Sequence, residues 1–194
     1  MNLRTRPGRW LVVAAAVMCA AVLVPAVALA STSGRAADRS GRVATPSCLT
    51  RDLTVWVGVP GDGSAGSISY ELEFSNVSKQ TCTLYAFPGV SAVSSSLVRF
   101  GSAAGHETGD PEPVVTLGPG GTAHVFFVSH DVHNYPEATC QPTTAPFLQV
   151  YPPPSQHKPI EVPFSVGACA RRGPVYLDVS PIEPGVGIPG HSAP

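Results

Sequence analysis

Charge is scarce in this chain. Charged residues fill 13% of its 194 positions, and the 12 basic and 13 acidic ones nearly cancel. There is no basic stripe, which excludes the electrostatic footprint of a nucleic-acid binder. Long helical patterns are missing as well. The chain has 21 prolines, and each one inside a helix would remove a backbone hydrogen bond. No Cys-x-x-Cys pair occurs, so neither a zinc knuckle nor a thioredoxin-like redox site is indicated. No Gly-x-Ser-x-Gly nucleophile elbow occurs either. Internal repeats are absent.

The one long apolar run stands at the start. Arg4, Arg6 and Arg9 precede Leu11 to Ala30, which ends in Ala28-Leu29-Ala30. A positive stretch, an apolar stretch and a small-x-small end are the parts of a secretory signal. Pro25 would break the helix just before the cleavage point. The reading is a signal peptide over 1–30, leaving 164 residues. A run of this length also suffices to span a bilayer, so a retained anchor is the alternative, and membrane contact is expected only in that case. Cys19 follows Met18 rather than a small residue, against a lipoprotein, and Thr5 separates Arg4 from Arg6, against a twin-arginine signal. The expected location is secreted, extracellular or in the cell envelope.

Cysteine usage points the same way. Of five cysteines, Cys19 lies in the signal, and Cys48, Cys82, Cys140 and Cys169 remain. An even set in an exported chain reads as two disulfides. Pairing nearest neighbours gives Cys48–Cys82 and Cys140–Cys169. Each closes a loop worth about 3–4 kcal/mol in the chain-entropy picture. Four cysteines allow two other connectivities.

Residues 31–46 are small, polar and aperiodic and read as a linker. Residues 181–194 are rich in Pro and Gly and read as a tail. The domain is expected over 47–180, with a period of two rather than 3.6. Ile68, Tyr70, Leu72 and Phe74 alternate with Ser69, Glu71, Glu73 and Ser75, giving one buried and one wet face. Similar alternation runs over 53–59, 123–128, 160–165 and 175–179, with shorter candidates at 82–86, 90–94, 113–117 and 147–151. Gly61-Asp62-Gly63-Ser64, Phe87-Pro88-Gly89, Pro119-Gly120-Gly121 and Pro152-Pro153-Pro154 mark turns. Pro88-Gly89 suits a type II turn. Asn76 and Ser78 can close a turn with their side chains. Pro163 places its strand at an edge. The fold class is all-β: an immunoglobulin-like β-sandwich with two disulfides, with a small β-barrel as the alternative.

The order of these blocks carries a resemblance. Tyr70-Glu71-Leu72-Glu73-Phe74-Ser75-Asn76-Val77-Ser78 runs into Thr81-Cys82-Thr83-Leu84-Tyr85-Ala86-Phe87-Pro88-Gly89-Val90. Later come Val115-Thr116-Leu117-Gly118-Pro119-Gly120-Gly121, then Cys140 and Leu148-Gln149-Val150-Tyr151-Pro152. Over about 48–180 the chain resembles the actinobacterial secreted domain-of-unknown-function family numbered 4232 (DUF4232). The resemblance implies export and offers no activity to carry over. One departure is Ala86, where a glycine commonly precedes the Phe/Tyr-Pro-Gly.

The chemistry-bearing residues are few. His124, His130 and His133 with Asp131 are the metal candidates, but their spacing matches no ligand pattern. Six residues of extended strand put His124 and His130 about 20 Å apart. No metal and no cofactor is expected. Glu71 and Glu73 share a strand face, about 6.5–7 Å apart, and read as its solvent side. Ser64 in Gly61-Asp62-Gly63-Ser64-Ala65-Gly66 would need a His and an Asp beside it to act as a nucleophile. Asn76-Val77-Ser78 is a glycosylation sequon. Four aromatics, Trp56, Phe126, Tyr151 and Tyr176, fall opposite the aliphatic stripes and form a candidate recognition patch.

The functional expectation is therefore a non-enzymatic exported domain that binds a protein or a cell-wall glycan. Two alternatives stand beside it. One is an enzyme or accessory subunit with a shallow site on loops 101–112 or 129–145, carrying His106, Glu107, Asp110 and His130. The other is a structural spacer module.

Overall fold

The computed structural model describes residues 44–153 and 158–187. The segment read as a signal peptide (1–30), most of the expected linker and the end of the expected tail lie outside the described residues. Within them, no helix is long and apolar enough to cross a membrane.

Eleven strands and little helix make up the described chain. β1 (Leu53–Ser64) and β2 (Ser67–Asn76) form an antiparallel hairpin. The Gly61–Ser64 segment is not its turn, as the sequence suggested. β1 continues through it, with register shifts between Val57 and Pro60 and between Pro60 and Gly63. Pro60 offers no N–H to a ladder, and β1 sits at the sheet edge, where a proline and a bulge are tolerated. The chain reverses instead at Ala65-Gly66, with Gly66 at φ +88°.

β2 pairs along its length with β7 (Thr122–His130). On the far side of β7 lie β10 (Leu177–Val179) and β11 (Glu183–Pro184), and β5 (Gly105–His106) runs parallel to β10. The larger sheet is thus β1-β2-β7-β10-β5, with β11 also on β7. β4 (Gly89–Val93), β8 (Pro142–Tyr151) and β9 (Ile160–Cys169) form a second sheet. β3 (Cys82–Tyr85) and β6 (Val114–Leu117) form a third ribbon. Pro163 lies on β9, an edge strand of its sheet, as its missing donor requires. No sheet of the described residues closes on itself, so the architecture is the sandwich and not the barrel.

Period-two alternation builds the core. Leu72 and Phe74 of β2 and Val125 and Phe127 of β7 are fully buried, facing Val90, Leu148 and Val150 of the second sheet within one cluster. Burying each large apolar side chain contributes roughly 1.5–3 kcal/mol. Cys48–Cys82 and Cys140–Cys169 are disulfide-bonded. The first ties the entering chain to β3, where Cys48 N donates to Thr83 O at 2.9 Å. The second joins a short helix, α1 (Glu137–Cys140), to the end of β9.

Three turn and boundary expectations are corrected. Gly89 opens β4 and is not a positive-φ residue; the chain bends at Ala86, at φ +66°. The type II turn falls at Pro119-Gly120, where Gly120 has φ +75° and Gly121 N donates to Gly118 O at 2.9 Å. The domain also does not stop at 180. Ile182 is buried in the core and Glu183–Pro184 joins the sheet, because the chain closes a pairing with β7 that a Pro/Gly-rich composition does not advertise.

Candidate functional site

The larger sheet has one face against the core and one outward, and strand pairing arranges the outward residues in rows. Trp56, Glu73, His124 and Glu183 are successive partners across β1, β2, β7 and β11. Glu71 faces Phe126 in the next outward row. Val128 lies between Ser69 and Asp178, and Ser67 faces His130 at the hairpin end. Period two thus placed Trp56, Glu71, Glu73, His124, Phe126, Val128 and His130 on the intended side.

It did not foresee that one end of that side is dry. Glu71 and Glu73 are only 2% and 3% exposed, so their reading as a solvent face is overturned. The segment after β11 folds over them: Gly185 N donates to Thr122 O at 3.0 Å, and Gly187 N donates to Glu73 Oε1 at 2.9 Å. Burial pushes both carboxyls above the usual carboxylate range. The Gly187 N–H opposes that rise in Glu73, and His124 opposes it in both. His124 is itself buried, with Nδ1 3.1 Å from Gly185 O and Nε2 3.7 Å from Glu183 Oε2.

The other end opens into a cleft of about 520 Å³. It lies where the β1–β2 turn, the end of β7 and the β9 segment Ser165–Gly167 meet. Its apolar wall is Ile68, 45% exposed, and Tyr70. Tyr70 is held edge-on by Phe164, with ring centroids 4.9 Å apart. Its polar rim comprises Ser64 and Ser67, whose hydroxyls lie 2.8 Å apart, with His130, Asp131 and His133. His130 Nε2 is 2.7 Å from Asp178 Oδ2. Asp131 accepts from His133 N at 3.0 Å, and these contacts with His133 hold its carboxyl below the usual range.

The loop residues divide. Glu107 is brought electrostatically close to Asp178, Asp110 and His130; burial first, then those acids, raise its carboxyl, and His130 opposes them. Tyr135 donates its hydroxyl to Val175 O at 2.8 Å. His106 turns elsewhere and stacks on Phe87, with centroids 4.3 Å apart. A His and an Asp do reach the neighbourhood of Ser64. The Ser64 hydroxyl, however, pairs with Ser67, and His130 commits Nε2 to Asp178. Among the described residues, no group of three or more His, Cys, Asp or Glu side chains is set to hold a metal ion. His124 and His130 stand at opposite ends of the face, each with its own acid.

The four aromatics do not form one patch. Trp56 is 41% exposed at the edge of the outer face, and Phe126 is half-buried beyond the glutamates. Tyr151 belongs to β8 in the other sheet. Tyr176 is completely buried and leaves the patch altogether: it precedes β10, packs under Gly101, and donates its hydroxyl to Phe100 O at 3.2 Å. Burial pushes its phenol up to about 12.

Sequence reasoning missed Ser67, Ile68, Tyr70, Asp178 and Glu183. Asp178 and Glu183 become visible as histidine partners only once β10 and β11 are known to flank β7. Ile68 and Tyr70 read as core because their alternation is correct; Tyr70 does pack on Phe164 of β9, and the cleft opens beside that contact.

A family model described as a domain of unknown function (DUF4232) matches residues 48–183. No curated protein and no solved structure matches the chain.

Proposed function

The chain belongs to that family, and we propose that it is an exported, non-enzymatic binding domain whose ligand site is the cleft between β2, β7 and β9. The observation that carries this reading is the composition of the cleft. Its volume of about 520 Å³ falls in the range of small-ligand sites. An apolar wall of Ile68 and Tyr70 faces a rim of hydroxyl, imidazole and carboxylate groups. That combination suits a sugar ring, which offers an apolar face and hydroxyls at its edge. Among the described residues no lysine or arginine lines the cleft, which disfavours a phosphate or other strong anion. The ligand class is a neutral or amine-bearing glycan of the cell envelope. Two disulfides fit an oxidising compartment, and the Arg-flanked apolar N-terminus supplies the export signal.

The test is a titration with N-acetylglucosamine oligomers followed by amide NMR. The expected result is saturable shifts at Ile68, Tyr70, His130 and Gly167, lost in Tyr70→Ala. Shifts confined to other surfaces, or none at millimolar oligomer, overturn the site.

One observation favours hydrolysis as a second reading: Ser67, His130 and Asp178 occupy neighbouring outward positions of the same sheet. Labelling by a serine-directed fluorophosphonate, abolished by Ser67→Ala, would establish it.

A further inference from the structure

The outer face of a sandwich sheet is ordinarily where ionised side chains meet water. Here Glu71 and Glu73 occupy that face beneath a strap of the same chain, residues 183–187. Both oxygens of Glu71 and one oxygen of Glu73 are buried without a hydrogen-bond partner among the described residues. An ionised carboxylate in that position loses its hydration; Glu71 gains no hydrogen bond in return, and Glu73 gains only the Gly187 N–H. Something must neutralise the pair. No described trio of acidic, histidine or cysteine side chains is set to hold a metal ion, and the neighbouring His124 turns Nδ1 to Gly185 O and Nε2 to Glu183, which leaves the proton.

The strap is shaped to this task. Gly185 turns the chain at φ +89°, a conformation that favours glycine. Its carbonyl meets His124 Nδ1 at 3.1 Å. Gly187 delivers its N–H to Glu73 Oε1, and a side chain at Gly187 would collide with the Glu71 carboxyl. The strap therefore lies directly on the two acids, and their charge state decides whether it can remain there.

We propose that residues 183–187 form a proton-operated cover, docked while Glu71 and Glu73 carry protons and released from the sheet when they ionise. The charged and titratable groups facing the pair are few. β2 supplies the two glutamates, β7 supplies His124, and β11 supplies Glu183; Trp56 and Gly58 on β1 carry no charge. Burial outweighs the opposing groups: Glu183 adds repulsion to Glu71, whereas the Gly187 N–H on Glu73 and a protonated His124 on both favour the ionised form. Among the described residues, no lysine or arginine is in this set. Ionisation thus leaves two unpaired negative charges under the strap beside a third. Lifting the strap restores water to them and uncovers an acidic face between Trp56 and Phe126.

The sign follows from burial. Docking is strongest in acid, below the ordinary carboxyl value, and weakens as pH rises. Each pH unit between the ordinary and the raised value weakens docking by about tenfold per titrating group.

Hydrogen exchange of the full chain across pH 4–8, corrected for intrinsic rates, tests the device. Protection of the Gly187 and Gly185 amides is expected to fall at least about tenfold as pH rises, while Val125 and Leu72 stay protected. Glu71→Gln with Glu73→Gln keeps the acceptor for Gly187 and removes the charge. In that variant the protection of Gly187 should no longer change with pH. Unchanged protection in the native chain overturns the proposal. So does a fall that persists in the double variant, or one in which Val125 and Leu72 lose protection together with the strap.

Discussion

Two single residues show how local chemistry holds this domain, and both are testable. Ala86 sits at φ +66°, in the left-handed region where a Cβ is strained. Replacing it by glycine relieves that strain but loosens the unfolded chain. The net expectation for Ala86→Gly is a gain of about 0.5–1 kcal/mol, read as a higher urea midpoint with unchanged m. A loss of stability would show that the bend is not strained. Asn76 is fully buried. Its Nδ2 donates to Gln80 O at 2.8 Å and Leu117 O at 3.0 Å, and its Oδ1 accepts from Ser78 N at 3.0 Å. The Asn-x-Ser block is therefore a clamp between the β2–β3 and β6–β7 connections. Asn76→Ala leaves those groups unpaired and should cost about 2–4 kcal/mol. The sequon offers no room for a glycan on the folded chain.

At the scale of elements, strands were legible and their covers were not. β2 was read from its alternation almost residue for residue, since a strand writes its own period. Alternation states which side a residue faces, not whether that side is wet. The strap that dries Glu71 and Glu73 comes more than a hundred residues later and has no pattern of its own. Pro-Gly pairs at 88–89 and 119–120 look alike in sequence, yet only the second makes the type II turn, because Gly89 is drawn into pairing with Tyr151. Tyr176 was assigned outward by extending β10 too far back; the strand begins at Leu177, and the residue before it is free to turn in. The proline reading did transfer. Pro163 faces Phe147 on edge strand β9 and denies one donor to any incoming strand. Pro163→Val should leave the free energy of unfolding within about 0.5 kcal/mol and increase self-association. Sedimentation velocity of the two proteins would read this directly, and an unchanged monomer fraction would count against the edge-guard role.

At the scale of the molecule, the raised carboxyls set how stability responds to pH. Glu71, Glu73 and Glu107 are all lifted chiefly by burial, from an ordinary value of 4.5. Below 4.5 folded and unfolded chains both hold these protons, and the folded state keeps its full stability from them. Above it the unfolded chain releases protons first, so stability falls until the folded values are passed. Asp131 acts in the opposite sense, losing its contribution as pH drops below 3.8. It is solvent-exposed, so that effect is small. A second loss belongs to Tyr176. Its contribution is complete below 10 and disappears as pH rises toward about 12. The expected thermal profile therefore declines as pH rises above 4.5 and falls again beyond pH 10. Glu71→Gln should flatten the first decline, and Tyr176→Phe should remove the second while leaving the first. Calorimetry at constant ionic strength distinguishes the two limbs. A midpoint that climbs from pH 5 to pH 8 would mean that paired carboxylates elsewhere dominate. That outcome would contradict a molecule in which the acids packed beneath its own C-terminal strap control its response to pH.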